Sequence, residues 1–258
     1  MPEKVLIWGI GWLGLPLARN IQSIGYQICC ITRNIEKKES LIGSSLEALT
    51  IDDLLASLNY LSDCDVFILT VPPSEDSNFL EQLSLVLKHL PDKTQVVYTS
   101  STGIYKNSNG FVDENSMTDS SSNIFSIEEL LQKNRKQNLV ILRLGGLIGP
   151  ERHPIHFLAK KSVNENPNQA VNLIQQSDVI EIVMLFIESK KSGIFNLCSN
   201  EHPSRKDYYS HSAKVWGYKP LVFSEGNKDS GKIVQINKFV AYFPKFRFTS
   251  IYEFQYCK

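Results

Sequence analysis

The sequence GIGWLG at residues 9–14 decides the fold of this chain. It follows the apolar run at 5–8, which predicts a buried strand, and precedes residues 15–21, which predict a helix ending near Gly25. Glycines in this pattern permit a tight turn, let a phosphate approach the backbone and let the helix pack on the strand. The helix N-terminus adds unpaired N–H groups and a positive dipole end. The stretch predicts a dinucleotide-binding site, with a purely structural glycine turn as the alternative.

The composition is that of an ordinary globular protein. The 258 residues are 42% apolar and include 27 basic and 27 acidic residues. Zero net charge argues against nucleic acid or an anionic membrane surface as a partner. No run approaches the roughly 20 apolar residues of a membrane span, and the first residues lack the pattern of a signal peptide. We therefore expect a cytoplasmic protein without membrane contact and with reduced thiols at its five cysteines.

Apolar runs alternate with segments of helical period over the first 150 residues, which predicts βαβ units and a parallel sheet. Strands are predicted at residues 4–8, 27–32, 46–50, 65–71, 94–100 and 139–144. Helices are predicted near residues 13–24, 52–60, 76–90 and 126–137. The fold class is therefore α/β, with a Rossmann-type, doubly wound parallel sheet.

The pattern loosens after residue 150. A helix is predicted over 179–187, a short strand over 193–197 and a further helix over 206–216. No internal repeat and no clear linker separates this part from the first. We expect an NAD(P)-binding Rossmann domain at 1–150 and, continuous with it, a smaller substrate-binding lobe at 151–258.

The end of the second predicted strand indicates which dinucleotide binds. An acidic side chain there accepts hydrogen bonds from the 2′-OH of the adenosine ribose, whereas an arginine accommodates a 2′-phosphate. Thr32 and Arg33 end this strand, and the first acidic residue after them is Glu36. Arg33 favours NADP(H), with NAD as the alternative and a solvated arginine as the non-functional interpretation. Asp52 or Asp53 is predicted either to contact the adenine or to cap the next helix.

After the fifth predicted strand, SSTGIY at 100–105 resembles the S-S-x-x-V-Y-G string of the short-chain dehydrogenase/reductase superfamily. The match is to the extended branch, the NAD-dependent epimerase/dehydratase family, which includes nucleoside-diphosphate-sugar epimerases. Four more stretches resemble this family in the same order: GFVDE at 110–114, LRLGGLIGP at 142–150, NLIQQSD at 172–178 and GIFNL at 193–197. The resemblance implies NAD(P)-dependent oxidoreductase or epimerase chemistry on a small molecule such as a sugar nucleotide.

The resemblance also implies roles for individual residues. Ser101 matches the active-site serine or threonine that hydrogen-bonds the substrate oxygen undergoing hydride chemistry, and Ser100 is expected near the nicotinamide ribose. Without the family, both serines would be interpreted as strand-end turn residues. The complete set of predicted cofactor-binding residues is Gly9, Gly11, Trp12, Leu13, Gly14, Thr32, Arg33, Asp52, Thr70, Val71, Pro72 and Ser100.

The chain departs from the family at its acid/base pair, Y-x-x-x-K, whose two side chains share one helix face. The ammonium of such a pair lowers the pKa of the phenol. None of the ten tyrosines has a lysine four residues later, and residues 120–130 carry serines and apolar residues at the expected place. Tyr105, with Lys106 beside it, is the nearest substitute phenol, although adjacent residues do not share a face. The bound substrate or a water could supply the proton instead.

Three functions remain open at this point. The first is an NAD(P)-dependent oxidoreductase or epimerase, and the second is a non-catalytic NADP-binding regulatory protein, which the missing pair supports. The third is a β-hydroxyacid dehydrogenase of the 6-phosphogluconate type, although the later predicted strands count against its all-helical second domain. No metal site is expected, because His202 and His211 lack a third ligand at zinc spacing. The protein is expected to be a monomer or a homodimer.

Overall fold

The computed structural model describes residues 3–41, 43–44, 46–72, 77–106, 109–135, 137–225 and 229–253. Strands and helices alternate through the first hundred residues: β1 (Lys4–Trp8), α1 (Gly14–Ser23), β2 (Gln27–Thr32), α2 (Ile35–Glu39), β3 (Glu47–Thr50), α3 (Ile51–Ala56), β4 (Val66–Leu69), α4 (Ser77–His89) and β5 (Gln95–Ser101). Short 3₁₀ turns follow α3 at Leu58–Leu61 and β5 at Thr102–Ile104.

The later elements include four strands of only three residues each. They are β6 (Gly110–Val112), α5 (Asn123–Asn134), β7 (Leu139–Leu144), β8 (Gly146–Ile148), α6 (Ile155–Leu158), β9 (Leu173–Gln175), α7 (Gln176–Ser189), β10 (Gly193–Leu197), α8 (Arg205–Val215), β11 (Lys232–Val234) and α9 (Asn237–Tyr242). None of the helices in the described ranges is long and apolar enough to cross a membrane.

A seven-stranded sheet in the order β10-β7-β5-β4-β1-β2-β3 forms the centre of the fold. The pairs β1–β2, β2–β3, β1–β4 and β4–β5 are parallel. The predicted α/β class with a Rossmann-type sheet is therefore confirmed. The strand order reverses between β1 and β4, and ligands of doubly wound sheets bind at the carboxyl ends of the strands at such a point.

The central strands are buried along their whole length. All four residues of β4 and all six of β7 are inaccessible to solvent or nearly so. Such strands are covered on both faces, which explains why their sequences are continuous apolar or β-branched runs. The cysteines at 29, 30, 64 and 198 are free and buried, while Cys257 lies outside the described residues.

Some elements differ from the sequence-based expectation. The helix predicted near 126–137 begins earlier, at Asn123, because the Ser122 hydroxyl caps it by accepting a hydrogen bond from Phe125 N at 3.2 Å. The stretch Gly110–Val112, for which no strand was predicted, is strand β6, which pairs in parallel with β11 from the far end of the chain. Because the partner strand is so distant in the sequence, the residues around 110–112 carry no local pattern that predicts the pairing.

The chain forms two compact units. The first comprises Met1–Ser100, Ser120–Leu142 and Ile180–Ile194, and the second comprises Ser101–Asp119, Arg143–Val179 and Phe195–Lys258. Because the chain passes between them several times, these units do not follow the single boundary at residue 150 suggested by the sequence. Each unit has its own apolar cluster, around Trp8 and Phe67 in the first and around Tyr208 and Ile251 in the second.

Candidate functional site

The turn after β1 has no room for side chains at two of its glycines. Gly9 has φ +114°, and a Cβ there would lie 2.7 Å from Thr70 Oγ1 and 2.9 Å from Val71 N. A Cβ at Gly14 would lie 1.9 Å from the Gly9 carbonyl oxygen. Glycine is therefore required at both positions. At Gly9 the reasons are the backbone conformation and the close approach of Thr70 and Val71, and at Gly14 the reason is the close approach of α1 to the turn.

The middle glycine differs from the other two. Apart from its chain neighbours, no atom of the described residues lies within 4 Å of a Cβ built on Gly11, so the space beside it is open. A glycine that protein packing does not require is what a site needs where a ligand must approach the backbone. Gly11 is thus placed as expected for a residue that contacts a pyrophosphate.

The N-terminus of α1 lacks a side-chain cap at Leu13. The helices α2, α3, α5 and α8 are capped by the side chains of Asn34, Thr50, Ser122 and Ser204. Since the first N–H groups of a helix need acceptors, an uncapped end at the carboxyl edge of a sheet suits an anion. The glycine turn and this helix end form the first part of the candidate site.

Strand β4 fastens this turn from the other side. The Thr70 hydroxyl donates to the Gly9 carbonyl oxygen at 2.5 Å, and the Thr70 N–H donates to the Trp8 carbonyl oxygen at 2.9 Å. Val71 is buried and Pro72 is exposed, while Pro73 lies outside the described residues. Thr70 therefore holds the turn in shape, whatever contact it makes with a cofactor.

The end of β2 is also fixed by local hydrogen bonds. Thr32 Oγ1 accepts from Asn34 N at 3.1 Å, and the Asn34 side chain caps α2 by accepting from Lys37 N at 3.0 Å. Arg33 lies between these two residues and is exposed. Arg33 therefore lies at the surface, directly after a strand that borders β1.

The structure separates the two aspartates that follow β3. Asp53 forms a capping box with Thr50, accepting from Thr50 N at 2.8 Å while Asp53 N donates to Thr50 Oγ1 at 3.1 Å. Hydrogen bonds from Lys38 and Thr50 lower the pKa of the Asp53 carboxyl to about 2. Asp53 thus belongs to the capping box of α3, and the contact of the exposed Asp52 with the adenine stays a prediction.

The two serines at the end of β5 have different surroundings. Ser100 is buried, and its hydroxyl donates to Glu128 Oε1 at 2.6 Å. The hydroxyl hydrogen of Ser100 is therefore already bound to a protein carboxylate. Ser101 is half-buried, and its oxygen accepts from Gly103 N at 3.0 Å. Within the described ranges the Ser101 hydroxyl hydrogen has no acceptor, which leaves it for a ligand.

Tyr105 is enclosed by protein groups. Its side chain is 3% exposed, and its hydroxyl donates to Asn196 Oδ1 at 2.5 Å and accepts from Arg143 Nη1 at 3.0 Å. Burial raises the pKa of this phenol, although Arg143 acts in the opposite direction. An enclosed phenol of raised pKa is poorly suited to exchange protons with a substrate.

Three of the family-like stretches meet at this tyrosine. Glu114 of GFVDE accepts from Asn196 N at 2.7 Å, and Asn196 belongs to GIFNL. Arg143 of LRLGGLIGP donates to the Glu114 carbonyl oxygen at 3.3 Å and lies 5.1 Å from the centre of the Tyr105 ring. Stretches that lie far apart in the sequence thus form one buried hydrogen-bond network in the second unit.

The fourth stretch, NLIQQSD, holds later parts of the chain. Asn172 donates to the Lys232 carbonyl oxygen and accepts from Val234 N, both at 2.9 Å. Gln175 and Asp178 bind the segment at 249–253 through hydrogen bonds of 2.6–3.1 Å. Asn172, Gln175 and Asp178 therefore have structural partners.

His153 is buried in the second unit, where its ring packs against those of Tyr208 and Trp216. Its Nδ1 accepts from Ile155 N at 3.2 Å, which places the ring proton on Nε2, 2.9 Å from Tyr208 Oη. The Tyr208 hydroxyl in turn donates to the Ile251 carbonyl oxygen at 2.9 Å. Burial and the nearby His156 lower the pKa of His153 to about 4.

Helix α5 covers the part of the chain where the resemblance places the family's acid/base pair. The helix starts after Ser122, and Ile124 and Phe125 occupy its first turn. Glu128, further along this helix, is a buried carboxylate that the sequence did not indicate as part of the site. Its contact with Ser100 could not be read from the residues themselves, because it depends on how α5 lies against β5.

Residues 4–125 match the family model described as the NAD binding domain of 6-phosphogluconate dehydrogenase. Over 247 residues the chain is 31% identical to Protein YeeZ of Escherichia coli strain K12, with 89% of each protein covered. The chain belongs to the YeeZ family. The first half of this YeeZ-family protein is thus a Rossmann domain of the NAD-binding type.

Solved structures share the fold of this YeeZ-family protein along almost its whole length. The UDP-glucuronic acid 4-epimerase of Bacillus cereus in complex with NAD has a TM-score of 0.76 at 20% identity, covering 96% of this chain and 94% of that one. The enzyme WbmH of Bordetella bronchiseptica in complex with NAD⁺ has a TM-score of 0.77 at 16% identity, covering 97% and 94%. The predicted resemblance to the epimerase/dehydratase family is confirmed for the fold.

The part of the chain after residue 125 distinguishes the epimerase/dehydratase type from the β-hydroxyacid dehydrogenases. Strands β7 and β10 lie beyond residue 125 and join the central sheet. An all-helical second domain, as in β-hydroxyacid dehydrogenases, would not add strands there. The match to the 6-phosphogluconate dehydrogenase domain therefore reflects the shared nucleotide-binding half.

Proposed function

We propose that this YeeZ-family protein binds NADP(H) and is an oxidoreductase or epimerase of the epimerase/dehydratase type. The observation that carries the proposal is the glycine turn. Gly9 and Gly14 are required by packing, Gly11 faces open space, and α1 begins without a side-chain cap. A pyrophosphate beside Gly11 would accept hydrogen bonds from the backbone of residues 11–14 and so complete the end of the helix.

Arg33 supports NADP(H) over NAD. It is exposed and directly follows β2, where the 2′ position of the adenosine ribose is bound in this fold. Its guanidinium pairs with a phosphate in a bidentate manner and stacks on adenine. Hydrogen bonds of Thr32 and Asn34 fix the backbone on either side of Arg33. The Cα position of Arg33 is therefore well defined.

Ser101 is the proposed contact to the substrate. Its oxygen is held by Gly103 N, and its hydroxyl proton is left to donate to a carbonyl or hydroxyl oxygen of the substrate. The Bacillus cereus structure is named for an enzyme acting on UDP-glucuronic acid, which makes a sugar nucleotide a natural first substrate to test. Small carbonyl compounds are the second class.

Cofactor preference is tested by fluorescence titration of the protein with NADPH and with NADH. We expect NADPH to bind at least about tenfold more tightly, because a bidentate phosphate–arginine pair contributes more than about 1.4 kcal/mol. Arg33→Ala should remove this preference. Arg19→Ala is the matched control, since Arg19 is exposed on α1 and removing it deletes the same charge. Equal affinities for the two nucleotides in the unaltered protein would contradict the NADP assignment.

A non-catalytic, NADP-binding regulatory protein is the second candidate. The absence of Tyr-x-x-x-Lys from α5 and the enclosure of Tyr105 favour it. The two candidates are separated by two assays. The NADPH complex is incubated with small carbonyls and NADPH oxidation is followed. The NADP⁺ complex is incubated with nucleotide sugars, and NADPH formation and epimer formation are followed by absorbance and NMR. Turnover of any of them excludes the purely regulatory function. Tight NADPH binding without turnover across the panel would favour it.

A further inference from the structure

Lys232 is the first residue of β11, and its backbone is held on both sides. It is paired with Gly110 in the short parallel ribbon formed with β6. Its carbonyl oxygen accepts from Asn172 Nδ2 at 2.9 Å, and the preceding Gly231 N–H donates to Asn109 Oδ1 at 3.0 Å. The point from which the side chain extends is therefore fixed.

The Lys232 ammonium contacts the 3₁₀ turn that directly follows Ser101. Its Nζ donates to the Thr102 carbonyl oxygen at 2.8 Å, and Thr102 is the residue after Ser101. The side chain is half-buried, and burial lowers the pKa of the ammonium. Across the described part of the chain, no carboxylate forms an ion pair with Lys232.

This arrangement positions a charge without neutralising it. The Thr102 carbonyl accepts one of the three N–H donors of the ammonium, and it carries no net charge. Withdrawing a cation from water is costly unless an opposite charge accompanies it. An anionic oxygen supplied by a ligand would give the remaining donors charge-assisted hydrogen bonds.

We propose that Lys232 is the cationic group of the substrate site and binds an anionic oxygen of the substrate, a phosphate or a carboxylate, next to Ser101. The inference rests on the proposed function, in which Ser101 contacts the substrate. It extends that function by assigning a negatively charged substrate class to the same turn. The alternative is that Lys232 only ties β11 to the 3₁₀ turn at Thr102–Ile104.

The test measures ligand binding by calorimetry with the full-length protein saturated with NADPH. The probes are UDP-glucuronate, which carries both anion types, UDP, which carries only phosphates, and glucuronate, which carries only a carboxylate. Lys232→Met removes the charge and keeps the aliphatic stem, whereas Lys232→Arg keeps the charge. Lys206→Met is the matched control, because Lys206 is an exposed lysine of α8 in the same unit.

We expect Lys232→Met to weaken UDP-glucuronate binding at least about tenfold, as for the loss of one charge-assisted contact. Lys232→Arg should stay within about threefold of the unaltered protein, and Lys206→Met should bind as that protein does. The simpler probe that shows the same loss identifies the phosphate or the carboxylate as the bound group. A purely structural tie would instead lower the melting temperature of Lys232→Met and leave the affinity unchanged.

Two results would overturn the assignment. One is equal affinity of the unaltered protein and Lys232→Met for UDP-glucuronate, and the other is no saturable binding of any of the three probes. If NADPH binds as proposed in either case, only the role of Lys232 fails. If NADPH itself does not bind to the unaltered protein, the proposed function fails, whatever the anion titrations give.

Discussion

The glycine turn after β1 and the buried polar clusters of the second unit use hydrogen bonds in opposite ways. The turn leaves Gly11 beside open space and the start of α1 without a side-chain cap. In the second unit, the polar groups of two buried side chains are hydrogen-bonded to protein partners. Tyr105 bonds to Asn196 and Arg143. His153 bonds to Ile155 and Tyr208. Open donors indicate a ligand site, whereas closed networks stabilise the fold.

The largest effect is expected for Gly14→Ala. The added methyl group would lie 1.9 Å from the Gly9 carbonyl oxygen, a backbone atom that moves only with the whole turn. We expect a loss of more than about 3 kcal/mol in the free energy of unfolding and no saturable NADPH binding, measured by urea denaturation and fluorescence titration.

Gly11→Ala is the matched control for that change. A methyl group there meets no protein atom within 4 Å, so the stability should change by less than about 1 kcal/mol. NADPH affinity should still fall, because the methyl group would occupy the approach of the phosphates. Unchanged affinity would show that the phosphates do not approach Gly11.

Tyr105→Phe tests the closed network. The change removes the donor to a buried acceptor, Asn196 Oδ1, and should cost about 3 kcal/mol of stability. NADPH affinity should stay within about twofold. Tyr218→Phe is the control, because Tyr218 is 37% exposed and its hydroxyl contacts His156 near the surface. Normal stability of Tyr105→Phe together with loss of turnover would instead identify Tyr105 as an acid or base.

Burial of His153 makes the folded protein less stable at acid pH. The folded protein holds the imidazole neutral, with a pKa of about 4, whereas the unfolded chain takes up a proton near the ordinary value of about 6.5. Unfolding is therefore favoured as the pH falls from about 6.5 to about 4, and the contribution of His153 is constant above this window. We expect a loss of about 3 kcal/mol over the window, measured by urea denaturation at each pH.

His153→Gln should reduce this pH dependence, because the amide can replace both hydrogen bonds but does not titrate. The comparison is between the two slopes of stability against pH, so that carboxylates elsewhere in the chain cancel. Equal slopes would mean that His153 does not take up a proton on unfolding in this range.

Thr70→Val has the smallest expected effect. It keeps the shape of the side chain but removes the hydroxyl that donates to the Gly9 carbonyl oxygen. The stability should fall by about 1 kcal/mol, and NADPH affinity should fall several-fold as the turn loosens. Thr99→Val on β5 is the control, since the Thr99 hydroxyl donates to Leu69 O at 3.3 Å, outside the turn. Equal NADPH affinities for the two variants would separate Thr70 from the cofactor site.

The parts of the fold that could be predicted are those with a local cause. Strands β1, β2, β7 and β10 have the predicted bounds, because buried parallel strands are continuous apolar runs that end at turn residues. Helix α2 was not predicted, since it buries no side chain and relies on the Asn34 cap. The pairing of β6 with β11 was missed because its two strands lie far apart in the chain.

The candidate site divides in the same way. The amino-acid sequence by itself determined the glycine turn, because Gly9 and Gly14 are required by the backbone of one strand–turn–helix unit, and it placed Arg33 directly after β2. Only the tertiary structure decided that Ser100 is bonded to Glu128, that Tyr105 is enclosed, and that Lys232 reaches Thr102. These contacts join residues 28 to 130 positions apart, and such pairs depend on the path of the whole chain rather than on any local pattern.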